Sequence, residues 1–443
     1  MPWTPEAVEL RRRLTAREAV VAVVGLGYVG LPLAVEQARA GFSVLGLDDN
    51  GTKVAQVNRA ENYIPDVAEA DLSRMVEAGR LKATTRYRDL ADADVILVAV
   101  PTPLTPNKEP DLSYILAVAD RLRGILRAGQ LVVLESTTYP GTTEEVLRPI
   151  LETSGLVVGE ELFIAYSPER VDPGNAVYQT RNTPKLVGGS TAVCGELAEL
   201  FYQQSLGQVV RVTSPAVAEM AKVFENTYRA VNIALVNEMA LLCDRMGLDV
   251  WEVLRAAGTK PFGIQIFYPG PGVGGHCIPL DPFYLAWKAR EYDFPTRFIE
   301  LAGEINLRMP YFVVDKLQAA LNQDKKPMAG ARVLVLGVAY KKDSNDARES
   351  PALKVMELLE ARGAEVVYHD PLIPEIRPQA SFRRLARSVP LDDERLAWAD
   401  AVVITTDHSS VDYARVVARA RLILDTRNAL YGVPAGRARV VKL

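Results

Sequence analysis

One segment restricts the fold of this chain more than any other, the stretch "AVVAVVGLGYVGLPLAVEQARAGFSVLGLD" at residues 19–48. An apolar strand, a glycine-rich turn, a helix and a second strand follow one another there, which is the pattern of a βαβ unit. Its most apolar part, residues 20–35, contains three glycines and a proline and is too short to span a membrane. The segment therefore predicts the start of a parallel sheet.

The turn "GLGYVG" has the glycine spacing of dinucleotide-binding folds. We expect Gly25 to permit the tight turn, Gly27 to let the backbone approach a pyrophosphate, and Gly30 to bring the helix close to the strand. Tyr28 and Val29, in the same turn, are expected beside the cofactor. A purely structural turn is the alternative, but the flanking strand and helix favour cofactor binding.

Two further features favour NAD as that cofactor. Asp48, at the end of the second strand, should accept hydrogen bonds from the ribose hydroxyls and repel the 2′-phosphate of NADP. Asp49 lies next to it and could share this role. Thr102, in the strand-like segment 95–103, is a further candidate for contact with the cofactor.

The rest of the chain predicts an α/β protein with a helical middle. One long helix is expected from Ser214 to Met246, started by a Ser-Pro pair and ended by Gly247, and a second helix near 296–323. A second α/β region opens at 331–340 with a strand-like segment. Strand-like segments of the first region lie at 95–103, 130–138, 161–169, 184–189 and 208–213.

The expected fold class is therefore α/β, with two Rossmann-like, doubly wound parallel-sheet domains joined by a central helical domain with a long connecting helix. We expect domain boundaries that give a cofactor-binding domain at 1–213, a helical domain at 214–325 and a second sheet domain at 326–443.

The turn of the second region, "GVAYKKDSNDARES", has one glycine and several charges, so it should bind something other than a dinucleotide. Lys341, Lys342 and Arg348 could pair there with phosphate, although a solvated charged loop would have the same composition.

Cys277, in "GPGVGGHCIPLDP", can be a metal ligand, a buried thiol or a nucleophile. A zinc site is not expected, because His276 is its neighbour but the other two histidines lie near no second cysteine. Burial is the ordinary state of a free cysteine, yet the glycines around it, Gly274 among them, remove side chains that would block access to the sulfur. These observations favour a nucleophile.

A nucleophilic cysteine acts as its thiolate, so a cation or base should lie nearby. Lys222 and Asn226 are four residues apart and share one face of the long helix. Asp281 follows the cysteine by four residues and could orient a group or accept a proton. Each residue alone is more often an ordinary hydrogen-bonding residue than a catalytic one. Their coincidence with a hydride acceptor predicts an enzyme that oxidises an alcohol to an aldehyde, holds the aldehyde on sulfur and oxidises it again.

Composition sets outer limits on partners and location. The net charge is −4 with both signs spread along the chain, which indicates no surface for nucleic acid or a membrane. Three distant cysteines argue against a disulfide framework and fit a reducing cytoplasm. We expect no export signal.

Five ordered motifs resemble those of the UDP-glucose/GDP-mannose dehydrogenase family. The resemblance runs from about residue 20 to the end and implies NAD-dependent, four-electron oxidation of a nucleotide sugar at C6, two Rossmann-like domains and a dimer formed through the long helix. The C-terminal domain would bind the nucleotide sugar. The motifs are "VGLGYVGLPLA", "SPERVDPG", "AEMAKVFENTYRAVNIALVNE", "PGPGVGGHCIPLDPFYL" and "LGVAYKKDSNDARESPA".

The same resemblance implies roles for individual residues. Cys277 would be the thioester nucleophile, Lys222 and Asn226 would stabilise the oxyanion and hold water, and Asp281 would assist proton movement. Thr137 would hold a water near the reacting carbon. The substrate-binding residues would be Glu169, which is also catalytic, Arg170, Lys222, Asn226, Gly274, Lys341 and Arg348.

Two departures bear on the substrate. UDP-glucose dehydrogenases carry a second glutamate where this chain has Pro173, and the arginine that they contribute upstream of the cysteine has no match in "GTKPFGIQIFYPGPG". Both segments resemble the branch of the family that oxidises UDP-N-acetylhexosamines for surface polysaccharide. We expect UDP-N-acetylglucosamine as the substrate, with UDP-N-acetylmannosamine or UDP-glucose as alternatives.

Two other functions would use part of the same sequence. A two-electron hydroxyacid dehydrogenase needs the first sheet, the long helix and the Lys/Asn pair, but neither the cysteine loop nor the second α/β region. A non-catalytic scaffold or sensor would bind NAD and dimerise without a reactive thiol.

Overall fold

A computed structural model describes residues 3–64, 66–105, 107–171, 175, 177–275, 278–379 and 382–443. It divides into two units, each of which is discontinuous in sequence. The first comprises residues 1–225 with 283–294, and the second comprises residues 226–282 with 295–443. Pro173, His276 and Cys277 lie outside the described residues.

The first unit is built on an eight-stranded sheet in the order β3-β2-β1-β4-β5-β6-β7-β8. Its first six strands follow the order of dinucleotide-binding folds. Described strands pair in parallel throughout, except that β6 and β7 are antiparallel. The strands are β1 (Val20–Val24), β2 (Ser43–Leu47), β3 (Leu81–Thr84), β4 (Val95–Val98), β5 (Gln130–Leu134), β6 (Leu162–Tyr166), β7 (Lys185–Gly189) and β8 (Val209–Val212).

Every residue of β4, β5 and β6 is buried, as expected for parallel strands with helices on both faces. These helices are α1 (Pro5–Ala16), α2 (Gly30–Arg39), α3 (Gly51–Asn58), α4 (Glu69–Glu77), α5 (Ser113–Arg123), α6 (Arg148–Glu152) and α7 (Ala192–Gln203). Short polar residues start several of them: the side chains of Thr4, Asn50 and Thr191 accept backbone hydrogen bonds at the N-termini of α1, α3 and α7.

The long helix α8 (Pro215–Met246) is present as predicted. It begins with a proline in its first turn and ends where Gly247 takes a φ of +69°, a left-handed conformation that glycine tolerates. The second predicted helix is α11 (Arg297–Gln323). Two shorter helices lie between them, α9 (Val250–Ala257) and α10 (Asp281–Ala289).

The second unit contains a five-stranded, fully parallel sheet in the order β10-β9-β13-β14-β15 and a separate antiparallel pair, β11 and β12. Its strands are β9 (Arg332–Leu336), β10 (Glu365–His369), β11 (Glu375–Ile376), β12 (Ala386–Arg387), β13 (Ala401–Ile404), β14 (Leu422–Asp425) and β15 (Arg439–Lys442). The helices of its sheet region are α12 (Pro351–Ala361), α13 (Asp393–Trp398) and α14 (Tyr413–Arg419).

The expected fold class is confirmed: two parallel-sheet domains accompany a helical region that contains α8. The boundaries at residues 213 and 325 stay a prediction. In the part of the chain that the structure describes, no helix combines the length and apolar character that crossing a bilayer requires.

Candidate active site

The glycine turn joins β1 to α2 in the geometry that its spacing predicts. Gly25 has a φ of +94°, and a Cβ at this position would come within 2.5 Å of the Ala99 carbonyl oxygen. A Cβ on Gly30 would lie 1.7 Å from the carbonyl oxygen of Gly25. Both positions therefore require glycine, one for its conformation and both for close approach. The turn lies where the strand order reverses between β1 and β4, the usual place for a nucleotide.

Three observations show that this turn fits a dinucleotide. A Cβ on Gly27 would meet no protein atom within 4 Å, so space exists for a phosphate beside the backbone. Helix α2 starts after Val29 without a side-chain cap, which leaves backbone N–H groups for an anion. Tyr28, in the same turn, is exposed.

Asp48 is held in place beside the turn. Its carboxylate accepts hydrogen bonds from the backbone N–H groups of Leu26, at 3.0 Å, and Asn50, at 2.9 Å. Lys53 Nζ lies 3.1 Å from Oδ2. A carboxylate has about four acceptor positions, so about one is left for a ribose hydroxyl while Lys53 is in this position.

The loops that follow β4 and β5 are tied together by Thr102. Its hydroxyl donates a hydrogen bond of 2.6 Å to the carbonyl oxygen of Thr137, and its own carbonyl oxygen accepts one from the hydroxyl of Tyr284. Thr102 is buried and Thr137 is half-buried. The sequence-predicted cofactor residue and the sequence-predicted water-holding residue thus belong to one hydrogen-bonded corner of the first unit.

Glu219 anchors the same corner, and sequence reasoning missed it. This buried residue of α8 accepts hydrogen bonds from Gly141 N at 2.6 Å, Thr143 N at 2.9 Å and Thr143 Oγ1 at 2.7 Å. Burial raises the pKa of the Glu219 carboxyl, and these donors oppose the shift. A polar residue inside an apolar helix pattern, three positions before Lys222, was the available signal.

Glu169 and Arg170 follow β6 and make different contacts. Glu169 Oε1 accepts hydrogen bonds from the backbone N–H groups of Arg170 at 2.7 Å and Val171 at 3.0 Å. The guanidinium of Arg170 forms a two-point ion pair with Glu225, at 2.5 and 3.2 Å, and also donates to the carbonyl oxygen of Pro184. Arg170 therefore has protein partners for the charge that was expected to contact substrate.

Lys222 and Asn226 lie one turn apart on α8, and both are buried. Asn226 Nδ2 donates a hydrogen bond of 2.5 Å to Asp281 Oδ2, at the start of α10. Lys222 forms no ion pair with any residue that the structure describes. A buried ammonium without a carboxylate partner is costly, which makes Lys222 suited to an anionic group on a ligand.

The residues before Cys277 are glycines because the chain packs closely there. A Cβ on Gly272 would lie 2.9 Å from Pro351 Cβ, and one on Gly274 would lie 2.8 Å from both the Glu349 carbonyl oxygen and Tyr340 Cβ. The sequence pattern predicts that these glycines clear access to the sulfur, which lies outside the described residues, so this stays a prediction. The described part of the loop shows that the glycines also allow contact with residues 340–351.

Those contacts bring the charged turn of the second sheet next to the cysteine loop. Gly275 N donates a hydrogen bond of 3.3 Å to the carbonyl oxygen of Arg348. The Arg348 guanidinium pairs with Asp346 within the turn, and Lys341 is half-buried. Two residues of this turn other than glycine, Asp343 and Glu349, have φ values of +55° and +50°. Such conformations are strained and concentrate at ligand sites.

The second turn differs from the first as predicted. Asp370, after β10, corresponds in position to Asp48, but its Oδ2 accepts hydrogen bonds from Val338 N at 2.7 Å and Ala339 N at 3.2 Å and lies 3.0 Å from His408 Nε2. Its Oδ1 accepts two more backbone bonds, from residues 372 and 373. This carboxylate has no acceptor position left for a ribose.

A buried amide pair supports the start of the cysteine loop. Asn237 on α8 accepts a hydrogen bond of 3.0 Å from Gly270 N and donates one of 2.8 Å to Asn306 on α11. Asn306 in turn donates to the carbonyl oxygen of Ala230 at 3.1 Å. Because the two asparagines are 69 residues apart, sequence periodicity gave no signal of their contact.

Comparison with known families identifies the group to which this arrangement belongs. Residues 19–206 match the NAD binding domain of the UDP-glucose/GDP-mannose dehydrogenase family, residues 216–308 its central domain, and residues 334–432 its UDP binding domain. The chain belongs to this family. It is therefore an NAD-dependent enzyme of the UDP-sugar dehydrogenase type, with its dinucleotide turn in the matched NAD binding domain.

Members of the family with similar sequences carry different N-acetylhexosamine names. The UDP-N-acetyl-D-mannosamine dehydrogenase of Pyrococcus horikoshii is 37% identical over 94% of this chain and 97% of its own length. The UDP-N-acetyl-D-glucosamine 6-dehydrogenase of Pseudomonas aeruginosa is 38% identical over 81% of this chain and 84% of its own length. A solved structure of the P. horikoshii UDP-D-ManNAc dehydrogenase matches with a TM-score of 0.85 and 35% identity, covering 95% of this chain and 99% of that one.

Proposed function

We propose that this family member oxidises the C6 hydroxymethyl group of a UDP-N-acetylhexosamine to a carboxylate, reducing two NAD per sugar. The observation that carries the proposal is on α8: Lys222 is buried with no carboxylate partner among the described residues, one turn from Asn226, whose amide is held by Asp281. This set suits the stabilisation of an oxyanion. The product would be a UDP-N-acetylhexosaminuronic acid for surface polysaccharide.

The preferred epimer in this proposal is UDP-N-acetylmannosamine. Sequence motifs alone led us to expect UDP-N-acetylglucosamine. The relatives support the alternative better, because a mannosamine enzyme aligns with more of the chain than the glucosamine enzyme does and also provides the solved structure described above. UDP-N-acetylglucosamine becomes the second candidate.

The proposed chemistry assigns the covalent work to Cys277. NAD, when bound, accepts the hydride in each of the two oxidations. After the first, the Cys277 thiolate adds to the aldehyde carbon and forms a thiohemiacetal, whose oxyanion is stabilised by Lys222 and Asn226. Loss of the second hydride leaves a thioester. Water then adds to the thioester carbonyl, and the C–S bond breaks to release the carboxylic acid and the thiolate.

The remaining residues are proposed to move protons and hold the substrate. Asp281 and Glu169 would exchange protons with the reacting oxygen or its water, and Thr137 would hold that water. Lys341 and Arg348 would contact the phosphates or the sugar, and Gly274 would contribute backbone to the same region. Arg170 would act on substrate through the loop that it braces against Glu225.

We also propose a homodimer formed through α8, in the cytoplasm. One face of this helix exposes apolar side chains at a spacing of three, four or seven residues, which is the pattern of a helix seam. Phe224, in the N-terminal half of the helix, is 62% exposed. The exposed residues of this stripe are Val217, Met220, Phe224, Tyr228, Leu235, Leu242 and Met246.

A substrate panel tests the reaction. The purified chain is incubated with NAD and, separately, UDP-N-acetylmannosamine, UDP-N-acetylglucosamine and UDP-glucose, with NADH followed by absorbance and the product by mass spectrometry. We expect two NADH per sugar and a carboxylate product, fastest with the mannosamine. Absence of NADH with every UDP-hexose would overturn the proposal. One NADH per sugar would favour a two-electron dehydrogenase.

A further inference from the structure

Lys185 and Glu135 form a buried charged pair close to Glu169, and the proposed chemistry does not use this pair. Lys185 on β7 lies 2.6 Å from an oxygen of Glu135, which directly follows β5. The hydroxyl of Tyr202, on α7, donates to the other oxygen of the same carboxylate. The side chains of Lys185 and Glu135 are only 3% and 0% exposed. Fully buried ionised pairs are uncommon outside functional sites and strong structural networks.

The contacts indicate which groups carry charge. Burial raises the pKa of Glu135, but Lys185 and Tyr202 donate hydrogen bonds to its two oxygens and favour the carboxylate form. Burial works against the charge of Lys185, but the carboxylates of Glu135 and Glu169 together outweigh burial and raise the pKa of the lysine. Lys185 is therefore a cation whose charge is balanced mainly by Glu135.

Glu169 is the second carboxylate near that cation. Lys185 Nζ lies 3.8 Å from Glu169 Oε2, which is within ion-pair range but too long for a hydrogen bond. The other oxygen of Glu169 is held by two backbone N–H groups. The charged and titratable groups of the described first unit that face Glu169 are Lys185 from β7, Glu135 from the end of β5, Tyr202 from α7, and Arg170, which pairs with Glu225 of α8.

We propose that Glu135 and Lys185 are positioning residues that set the proton affinity of Glu169, with Glu135 keeping Lys185 from donating a direct hydrogen bond to Glu169. The proposal rests on the proposed function, in which Glu169 exchanges a proton during the reaction. A direct hydrogen bond from Lys185 would make Glu169 a weaker base, and the absence of the cation would make it a stronger one.

This arrangement predicts shifts of opposite sign from its two members. In Glu135→Gln, Lys185 keeps its charge and loses its anion, so the midpoint of Glu169 titration falls by about one pH unit. In Lys185→Met, the nearest cation is lost and the midpoint rises by a similar amount. A residue with only a structural role would not move the midpoint in two directions.

The measurement is an NMR titration of the chain labelled with ¹³C at the glutamate carboxyl carbon. The Glu169 resonance is assigned as the one missing from Glu169→Gln. Arg13→Met is the matched control, because it removes an ion pair with Asp94 in the same unit and should leave the Glu169 midpoint unchanged. Unchanged midpoints in both Glu135→Gln and Lys185→Met, or shifts of one sign, would overturn the proposal.

A single substitution here strands a buried charge and can prevent folding. The double variant Glu135→Gln/Lys185→Met removes both charges and avoids this cost. Because Lys185 is the nearer group, the double variant should raise the Glu169 midpoint, and an unchanged midpoint contradicts the proposal even if neither single variant folds. Circular dichroism confirms that each tested variant is folded.

Activity distinguishes this inference from the proposed function. If the enzyme oxidises a UDP-N-acetylhexosamine, the acidic limb of the kcat profile should move with the Glu169 midpoint, to lower pH in Glu135→Gln and to higher pH in Lys185→Met. Midpoints that shift as expected in a chain that yields no NADH would uphold the coupling and refute the proposed function. If the Glu169 midpoint shifts but the acidic limb of the pH profile of kcat does not move, the part of the inference that concerns the reaction is refuted.

Discussion

Asn226 on α8 donates a hydrogen bond of 2.5 Å to Asp281 at the start of α10, and both side chains are buried. The carboxylate therefore sets the direction of the amide and supplies the negative charge at this point. We expect Asp281→Asn, which keeps the shape and removes the charge, to lower kcat about 10²- to 10⁴-fold, the range of a lost proton-transfer group. Steady-state NADH formation with the UDP-N-acetylhexosamine measures this.

The control for this variant is Asp244→Asn. Asp244 also lies on α8 and pairs with Lys316, at 2.5 Å, on α11. It should retain normal kcat, and both variants should bind NAD as the unmodified chain does. A normal kcat in Asp281→Asn would remove this carboxylate from the mechanism.

Cys277 is predicted to separate the two oxidations. Cys277→Ala should produce no carboxylate, because no thiohemiacetal can form, while the first hydride transfer stays possible. We expect at most one NADH per sugar oxidised, and an aldehyde that semicarbazide traps for mass spectrometry. Cys243→Ala is the control, since Cys243 is a buried residue of α8. Continued carboxylate formation by Cys277→Ala would exclude the thiol.

Gly27 and Gly30 should respond differently to the same substitution. In Gly27→Ala the new methyl meets no protein atom, so the thermal unfolding midpoint should stay unchanged while NAD affinity falls at least tenfold, because the methyl occupies the phosphate position. In Gly30→Ala the methyl would collide with the backbone of Gly25, so stability should fall as well. Calorimetric titration and thermal unfolding measure the two effects. Equal NAD affinity in Gly27→Ala would contradict the assigned cofactor position.

Much of the fold was predictable because buried parallel strands are continuous apolar runs. The predicted strand segment 95–103 contains β4, and the predicted segment 331–340 contains β9. Prolines follow β4 and a glycine follows β9, and both residue types indicate a turn. The antiparallel pairing of β6 with β7 was not predictable, because strand direction depends on the path of the connection and leaves no local pattern. The same holds for the short pair β11 and β12.

The candidate site was predictable where residues are close in sequence. Lys222 and Asn226 share a helix face, and Gly25 to Asp48 form one βαβ unit, so spacing alone indicated their proximity. The contact between Lys185 and Glu135, which are 50 residues apart, depends on tertiary packing. No local spacing pattern in the sequence indicates such a contact. Arg170 illustrates the same limit, because its pairing with Glu225 could not be inferred from the motif that contains it.

Asp400 makes part of the stability of the second unit depend on pH. Burial works against its charge, but Lys326 and Arg332 outweigh this and lower the Asp400 pKa to about 2, from an ordinary value of 3.8. Because the folded-state pKa lies below the unfolded one, this stabilisation is present above about pH 4 and is lost as the pH falls towards 2. Asp400→Asn should cost at most about 2.5 kcal/mol at pH 7.

The measurement is urea unfolding of Asp400→Asn and the unmodified chain between pH 7 and about pH 3. The difference in unfolding midpoint should be constant at neutral pH and shrink below about pH 4. Asp315→Asn is the control, because Asp315 pairs with Arg362 through an exposed carboxylate and surface pairs contribute little. A difference that stays constant down to pH 3 would contradict the assigned coupling.

The exposed apolar stripe of α8 predicts that a charged side chain within it disrupts the proposed dimer. Burying an aromatic side chain contributes about 2 kcal/mol or more, and placing a carboxylate in the same seam adds a desolvation cost. Phe224→Asp should therefore convert the proposed dimer to a monomer in light scattering coupled to gel filtration, with unchanged secondary structure. Leu116→Asp, at an apolar position of α5 that is 43% exposed, should leave the mass unchanged. A monomeric unmodified chain at micromolar concentration would refute the dimer, and a dimeric Phe224→Asp would place the interface elsewhere.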